Sequence, residues 1–127
     1  MITNTSDKAF EHLIERALGE LPQYQVAGLD NVAITYADEP SVQQLQQQGV
    51  REGSLLLGLY EGTPLTARLS SSYSGVLPDK ITLFKQPLHL ISESEPELFA
   101  RVKRTLWHEI AHHYGLDHDR IAAIEKR

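Results

Sequence analysis

The first periodic pattern of apolar residues along the chain indicates a helix near the N-terminus. The apolar positions recur at intervals of three and four, as one face of an α-helix requires: Phe10, Leu13, Ile14, Ala17 and Leu18. Thr5 and Ser6 precede this pattern and are suited to cap a helix N-terminus. Gly19 and Pro22 follow it and act as stop signals. The sequence therefore predicts a first helix between these two sets of signals.

Shorter segments in the middle of the chain alternate between apolar and polar residues, which is typical of half-buried strands. Val32, Ile34 and Tyr36 alternate within residues 30–37, and the segment KITLF at 80–84 alternates in the same way. Each of these two segments is predicted to form a strand.

Turn and loop signals separate these strands. Residues 54–60 and 63–70 flank the pair Glu61-Gly62 and are predicted to form a hairpin, followed by a polar loop at 70–79. Residues 41–50 are rich in glutamine and are predicted to be a solvated connector, formed by either a short exposed helix or a loop.

The longest periodic stretch lies near the C-terminal end of the chain. Ser94 is a candidate cap, residues 95–97 place two acids and a proline in the first turn, and Gly115 can end the helix. Its apolar stripe comprises Phe99, Val102, Leu106 and Ile110. The order of elements predicts an α+β fold in one domain spanning residues 1–127. It would have an N-terminal helix, a small mixed or antiparallel sheet and a C-terminal helix.

Composition narrows the possible chemistry. The chain has 127 residues and no cysteine, which excludes thiolate metal sites, so any metal must be held by imidazole and carboxylate groups. The net charge of -5 disfavours a nucleic-acid partner, because binding to phosphates depends largely on Lys and Arg. No segment has the pattern of a signal peptide or the length of a membrane span. We expect a soluble, cytoplasmic protein without a membrane partner.

Four of the six histidines lie in the eleven residues HEIAHHYGLDH, from His108 to His118. On a helix, His108 and His112 lie about 40° apart and about 6 Å along the axis, so both imidazoles can reach one ion on the side away from the apolar stripe. Glu109 points about 100° around the helix, which suits a group that acts on the water of the metal. These residues predict a metal site with a catalytic carboxylate.

A catalytic zinc site usually takes three protein ligands, so a third ligand is needed. Gly115 allows the chain to turn sharply and to return toward the last helical turn. His118 is the predicted third ligand, since imidazole is the more common donor beside two histidines. Asp117 and Asp119 remain alternatives as ligands or as hydrogen-bond partners of a histidine ring.

The segment HEIAHHYGLDH fits the zincin motif H-E-x-x-H and the longer metzincin pattern H-E-x-x-H-x-x-G-x-x-H. With the segments GLYEGTPL and LPDKITLF, the chain resembles the small bacterial zincin-like metallopeptidase family over most of residues 10–121. The resemblance implies a zincin-like fold with a Zn²⁺ cofactor held by His108, His112 and His118. It also implies hydrolysis of a peptide or protein substrate by a metal-activated water, with Glu109 as the general base.

The chain departs from these patterns at two places. The last position of the long motif is often aspartate in that family, whereas this chain has His118. Metzincins place a methionine-containing turn beneath the metal, whereas the only methionine here is Met1. The floor of the site is therefore expected to come from other residues.

Two other functions are compatible with the histidines. The bacterial rRNA-maturation endoribonuclease family resembles this segment, with three histidines at the same spacing, but has glycine at the position of Glu109. A metal-dependent endoribonuclease is thus an alternative, although the acidic charge and the glutamate favour a peptide substrate. A catalytically silent zinc-binding module is the third interpretation.

The remaining candidates are single residues and strand edges. His113 is predicted to be packed and hydrogen-bonded, and His12 and His89 are predicted to lie at the surface. Trp107 and Tyr114 are expected in the core or at its rim. The tyrosines formally able to stabilise an oxyanion are Tyr60, Tyr73 and Tyr114. An extended peptide is expected to bind along one strand edge, for which Thr66–Ser70 and Ile81–Phe84 are the two candidates.

Overall fold

The computed structural model describes residue 2 and residues 5–50, 54–62, 79–116, 119–120 and 123. The helices in these residues are α1 (Asp7–Glu20), α2 (Gln23–Val26), α3 (Val42–Gln47), α4 (Lys85–Leu90) and α5 (Glu95–His113). The strands are β1 (Val32–Ala37), β2 (Gly58–Glu61) and β3 (Asp79–Phe84). This arrangement confirms the predicted α+β class, with an N-terminal helix, a small mixed sheet and a long C-terminal helix.

Helix α1 forms where the sequence predicts it. The side chain of Ser6 accepts a hydrogen bond from the main-chain N–H of Ala9 at 3.1 Å, so Ser6 rather than Thr5 is the cap. The buried residues of α1 are Phe10, Ile14 and Ala17, which lie on the predicted apolar face. This face packs against α5 and joins the main hydrophobic core.

The sheet has the strand order β1-β3-β2, in which β1 runs parallel to β3 and β2 runs antiparallel to it. The central position of β3 makes the predicted alternation wrong for this strand, since Ile81, Leu83 and Phe84 are fully buried and Thr82 is nearly so. A strand that is covered on both faces carries a nearly continuous run of buried side chains. The prediction that Ile81–Phe84 offers an open edge is also wrong, because both edges of β3 are already paired.

The glutamine-rich connector contains a short exposed helix, which was one of the two predicted forms. Ser41 and Gln44 form a reciprocal capping box at the start of α3, and none of the residues of α3 is buried. The second half of the predicted hairpin, the polar loop at 70–78 and the candidate edge at 66–70 all lie outside the described residues.

Helix α5 follows its predicted signals closely. Ser94 accepts a hydrogen bond from the N–H of Glu97 at 3.2 Å, and the stripe residues Val102, Leu106 and Ile110 are fully buried. The helix ends in a Schellman motif, in which Gly115 has a φ of 86° and the N–H of Leu116 bonds the carbonyl of Ala111 at 3.0 Å. The predicted glycine stop is confirmed.

No helix in the described part of the chain is long and apolar enough to cross a membrane.

Candidate metal centre

His108 and His112 lie one turn apart on α5, both partly exposed. Their ring centroids are 4.9 Å apart, which shows that both side chains lean to the same side of the helix. The stripe formed by Val102, Leu106 and Ile110 faces the core on another side, so the helix separates its metal-binding candidates from its packing residues. This separation confirms the prediction that the two imidazoles lie on the side of the helix away from the apolar stripe.

Glu109 occupies the contact between α5 and β2, and only 8% of its surface is exposed. Its Oε1 accepts a hydrogen bond from the main-chain N–H of Tyr60 at 3.0 Å. The strand can approach the helix this closely because Gly58 has no side chain: a Cβ there would lie 2.7 Å from Cγ2 of Thr105 and 3.4 Å from Cγ of Glu109. The glycine therefore sets the distance between Glu109 and the strand.

The main-chain N–H of Tyr60, which holds Glu109, points away from β3 and toward the other edge of β2. The amide of Phe84 donates to the carbonyl of Leu57 at 2.9 Å, so residue 57 directs its polar groups toward β3. Because these directions alternate along an antiparallel pair, residues 59 and 61 also face β3, whereas Gly58 and Tyr60 face the other edge of β2. Glu109 thus binds the edge of β2 that β3 does not use.

Burial changes the acid–base behaviour of Glu109. Loss of solvent raises the pKa of its carboxyl group from 4.5 to about 7, and the N–H of Tyr60 partly opposes this rise by stabilising the charged form. A carboxyl group with a pKa near neutrality can both accept and release a proton at physiological pH.

His108, Glu109 and His112 each offer one ligand atom, and these atoms all lie within 4.8 Å of one another. The group could hold a metal ion. The two imidazoles are donors that Zn²⁺ uses, the carboxylate of Glu109 lies beside them, and the cysteine-free chain offers no thiolate alternative. The donor set therefore fits the predicted zinc cofactor.

The predicted third ligand, His118, and its alternative Asp117 lie outside the described residues. Asp119 is described and is exposed. The positive φ of Gly115 shows the sharp turn that was expected just before these residues. The choice of His118 over the two aspartates stays a prediction.

His113 has the packed, hydrogen-bonded environment that was predicted. The ring is fully buried, with Nδ1 lying 2.9 Å from Oδ2 of Asp79 and Nε2 lying 3.1 Å from the carbonyl oxygen of Gly28. The hydroxyl of Tyr60 donates to the same oxygen of Asp79 at 2.6 Å. His113 therefore joins the end of α5 to the sheet and to the loop before β1.

Sequence reasoning missed the roles of Asp79 and of the main-chain N–H of Tyr60. Asp79 was assigned to the end of a polar loop, whereas it opens β3 and is buried to 1% exposure. A main-chain contact of Tyr60 leaves no signal in residue type. The pairing of the strands is what brings both groups to α5.

The tyrosines considered for oxyanion stabilisation have other contacts. The hydroxyl of Tyr114 donates to the carbonyl of Gln25 at 2.6 Å and accepts from the N–H of Gly28 at 3.1 Å. The hydroxyl of Tyr60 donates to Asp79, and Tyr73 lies outside the described residues. Trp107 and Tyr114 are partly buried against the core, as expected.

The two remaining histidines differ from each other. The side chain of His12 is 72% exposed, which confirms its prediction. The surface prediction for His89 is wrong, because only 1% of this residue is exposed. Its Nδ1 lies 2.7 Å from the carbonyl oxygen of Lys85, and its Nε2 lies 3.2 Å from the N–H of Thr5. Helix α4 buries this ring near Phe10, a packing that a lone histidine in the sequence does not reveal.

Comparisons with known proteins agree with this geometry. The model of a family described as zincin-like metallopeptidase matches residues 29–127. Among solved structures, the chain is similar to a conserved hypothetical protein from Thermus thermophilus, with 27% sequence identity and a TM-score of 0.56. That similarity covers 85% of this chain and 92% of the other. A comparison with curated proteins found no significant match.

Proposed function

The chain belongs to the zincin-like metallopeptidase family, and we propose that it is a zinc-dependent peptidase in which Glu109 acts as the general base. Family membership supports a metal-dependent hydrolase, and we infer that the bond it hydrolyses is a peptide bond. The observation that carries the proposal is the position of Glu109. Its carboxyl group is buried and held by the N–H of Tyr60, and one of its oxygens lies within 4.8 Å of a ring nitrogen of His108 and of His112.

His108 and His112 would hold the ion from one side of α5, with His118 completing the set of three protein ligands. When bound, Zn²⁺ supplies Lewis acidity: it lowers the pKa of a coordinated water to about 7 and polarises a substrate carbonyl. The two histidines have the required spacing because they lie one turn apart on a helix whose opposite side is fixed in the core.

Glu109 would move the proton. The N–H of Tyr60 engages Oε1 and orients the carboxylate. Oε2 would then be the atom that takes a proton from the attacking water, and Glu109 would pass this proton to the departing amine. In the metal-free protein its pKa of about 7 already lies near neutrality, the range in which a general acid–base group is most effective.

An extended peptide would lie along a strand edge above α5 and make main-chain hydrogen bonds there. Since both edges of β3 are paired, Thr66–Ser70 remains the predicted edge.

The experiment that tests the proposal combines metal content with cleavage. Zinc-loaded wild type and His112→Ala are incubated with a proteome-derived peptide pool, and new termini are identified by mass spectrometry. We expect about one zinc per wild-type chain, together with cleavage that stops when a chelator is added and resumes with zinc. His112→Ala should lack both metal and cleavage. Stoichiometric zinc in this variant would contradict the proposed ligands.

A further inference from the structure

A cavity of about 290 Å³ opens beside the candidate metal centre, between α5 and the chain that leads into β2. The described residues that line it include Leu56, Leu57, Arg101, Arg104, His108 and Glu109. His108 and Glu109 belong to the proposed active site, so a group in this cavity would be next to the reacting atoms. The volume is at the lower end of the range for small-molecule sites, which suits one side chain or one terminal residue.

Two of the lining residues are arginines from the helical turns that precede His108. Arg104 lies one turn before His108, about 6 Å along the axis, and Arg101 lies about one further turn back. Arg101 is held in place by Glu97, whose Oε1 accepts hydrogen bonds from Nε at 3.1 Å and from one terminal nitrogen at 3.0 Å. The other terminal nitrogen of Arg101 also carries N–H donors.

The charge of this lining differs from that of the whole chain. Among the described residues, this lining contains two guanidinium groups, of which that of Arg101 is paired with Glu97, and one carboxylate, Glu109, whereas the chain as a whole has a net charge of -5. Leu56 and Leu57 provide apolar surface on the strand side. A ligand that matches this lining has a short apolar stem and an anionic tip.

Gly58 and Thr105 also line the cavity and lie close together where the strand meets the helix. Arg104 and Arg101 line it on the preceding turns of α5, on the same side of the helix as His108. Arginine binds carboxylates through paired N–H donors with a fixed geometry, so a carboxylate is the anion that this arrangement favours.

We propose that this cavity binds a carboxylate of the peptide substrate next to the bond to be cleaved, with Arg101 and Arg104 as the recognition residues. The proposal rests on the proposed peptidase function. The carboxylate has two possible sources: the side chain of a glutamate or aspartate, or the free C-terminus of a short peptide. The first source describes an endopeptidase with acidic specificity, and the second describes a carboxypeptidase.

The test measures binding and does not require turnover. Zinc-loaded Glu109→Gln is immobilised and exposed to two randomised heptapeptide libraries, one with free C-terminal carboxylates and one with amidated C-termini. Retained peptides are sequenced by mass spectrometry. We expect Glu and Asp to be enriched over Gln and Asn at one position by at least about tenfold, or the free-acid library to be retained over the amidated one by a similar factor. A charge-assisted hydrogen bond supports a ratio of this size.

Substitutions then assign the effect to the cavity. In the same Glu109→Gln background, Arg104→Gln and Arg101→Gln should each reduce the enrichment, and Arg104→Glu should favour Lys-containing peptides instead. Lys103→Gln is the matched control: it removes one positive charge from the same helix, but Lys103 pairs with Glu20 of α1, 3.5 Å away. This control should retain the full enrichment. Thermal melting of each variant shows whether it is folded, and two independent arginine positions are tested so that one unstable variant does not decide the result.

Several results would overturn the proposal. These are no retention of either library, retention without preference for a carboxylate, or a preference that persists in both arginine variants. The outcome is separate from that of the proposed function. Carboxylate-selective binding by a protein that cleaves no peptide would refute the peptidase function alone, whereas cleavage without such selectivity would refute the carboxylate site alone.

Discussion

The carboxylate of Glu109 on α5 accepts a hydrogen bond from the main-chain N–H of Tyr60 on β2, at 3.0 Å. This bond joins the proposed general base to the edge of β2 that β3 leaves unused. Because the donor is a backbone group, its position depends on the strand and not on the side chain of Tyr60. Glu109 is held in a partly desolvated position between helix and strand, and its raised pKa follows from that position.

The buried carboxyl group predicts a pH-dependent stability for the metal-free protein. Folding raises the pKa of Glu109 from 4.5 to about 7, so the folded state favours the protonated form. The associated stability is fully present below about pH 4.5 and is lost as the pH rises through about 7. The expected loss is about 3 kcal/mol for a rise of this size in the pKa. Urea unfolding of metal-free wild type and Glu109→Gln between about pH 4 and pH 9 measures it.

Glu109→Gln lacks this titration, so its free energy of unfolding should not show the same fall. The difference between the two proteins should therefore grow with pH, to the advantage of the variant. Parallel stability curves for the two proteins would contradict the burial assigned to Glu109.

Gly58→Ala should destabilise the protein and move the strand away from Glu109. The added Cβ would lie 2.7 Å from Cγ2 of Thr105, a contact that the two elements must relieve by shifting. Overpacking of this kind costs about 1–3 kcal/mol. Gly19→Ala is the control, since a Cβ at this helical position meets no atom within 4 Å and should stabilise α1 slightly. Chemical denaturation gives the free energy of unfolding of both variants. Equal changes in this free energy would contradict the close contact at Gly58.

His113→Ala should be far more destabilising than His12→Ala. The substitution removes a fully buried ring and leaves Asp79 without its imidazole partner, and the loss of a partner by a buried polar group costs about 1–3 kcal/mol, more where the group is charged. His12 is largely exposed and lies 3.9 Å from Glu15, a surface pair whose loss should cost less than about 1 kcal/mol. Free energies of unfolding at neutral pH give both values. A small loss for His113→Ala would show that this residue is not a main link between α5 and the sheet.

The helices and the motif could be predicted from the sequence because their signals are local. Ser6 and Ser94 act as caps, the apolar periods of α1 and α5 face the core, and Gly115 ends α5. The spacing of His108 and His112 depends only on the geometry of a helix. Such features depend on residues a few positions apart and need no knowledge of the fold.

The features that the sequence did not reveal depend on tertiary pairing. The alternation in β3 suggested one exposed face, but its central place in the sheet buries it on both. His89 appeared to be an isolated surface histidine, yet its ring is enclosed where α4 meets α1. The contact between Glu109 and Tyr60 joins residues 49 positions apart through a backbone group, which no pattern of side chains can indicate.

The third zinc ligand can be identified by comparing three substitutions. His118→Ala should weaken zinc binding far more than Asp117→Ala or Asp119→Ala. If the aspartates contact a zinc ligand and not the zinc itself, losing one should lower the zinc affinity by about 10–100-fold. Asp119 is exposed, which is consistent with a secondary role. Competition titrations with a chelator give the three affinities. If Asp119→Ala has the largest effect, the aspartate form of the motif applies and His118 is not the ligand.

The central claim is that Glu109 is the general base of a zinc peptidase, and Glu109→Gln tests it most directly. The substitution keeps the size and hydrogen-bonding capacity of the side chain but removes a proton acceptor at neutral pH. Wild type and variant are assayed together on a peptide library and on a structured RNA, with zinc measured in the same samples. RNA cleavage that survives the substitution would instead support the endoribonuclease, and full zinc without any turnover in either protein would support the silent module.

We predict equal zinc in both proteins and peptide cleavage that is at least about 100-fold slower in Glu109→Gln, the lower end of the effect of losing a general base. Peptide cleavage at an unchanged rate by zinc-loaded Glu109→Gln, in preparations shown to be free of other proteases, would contradict this account.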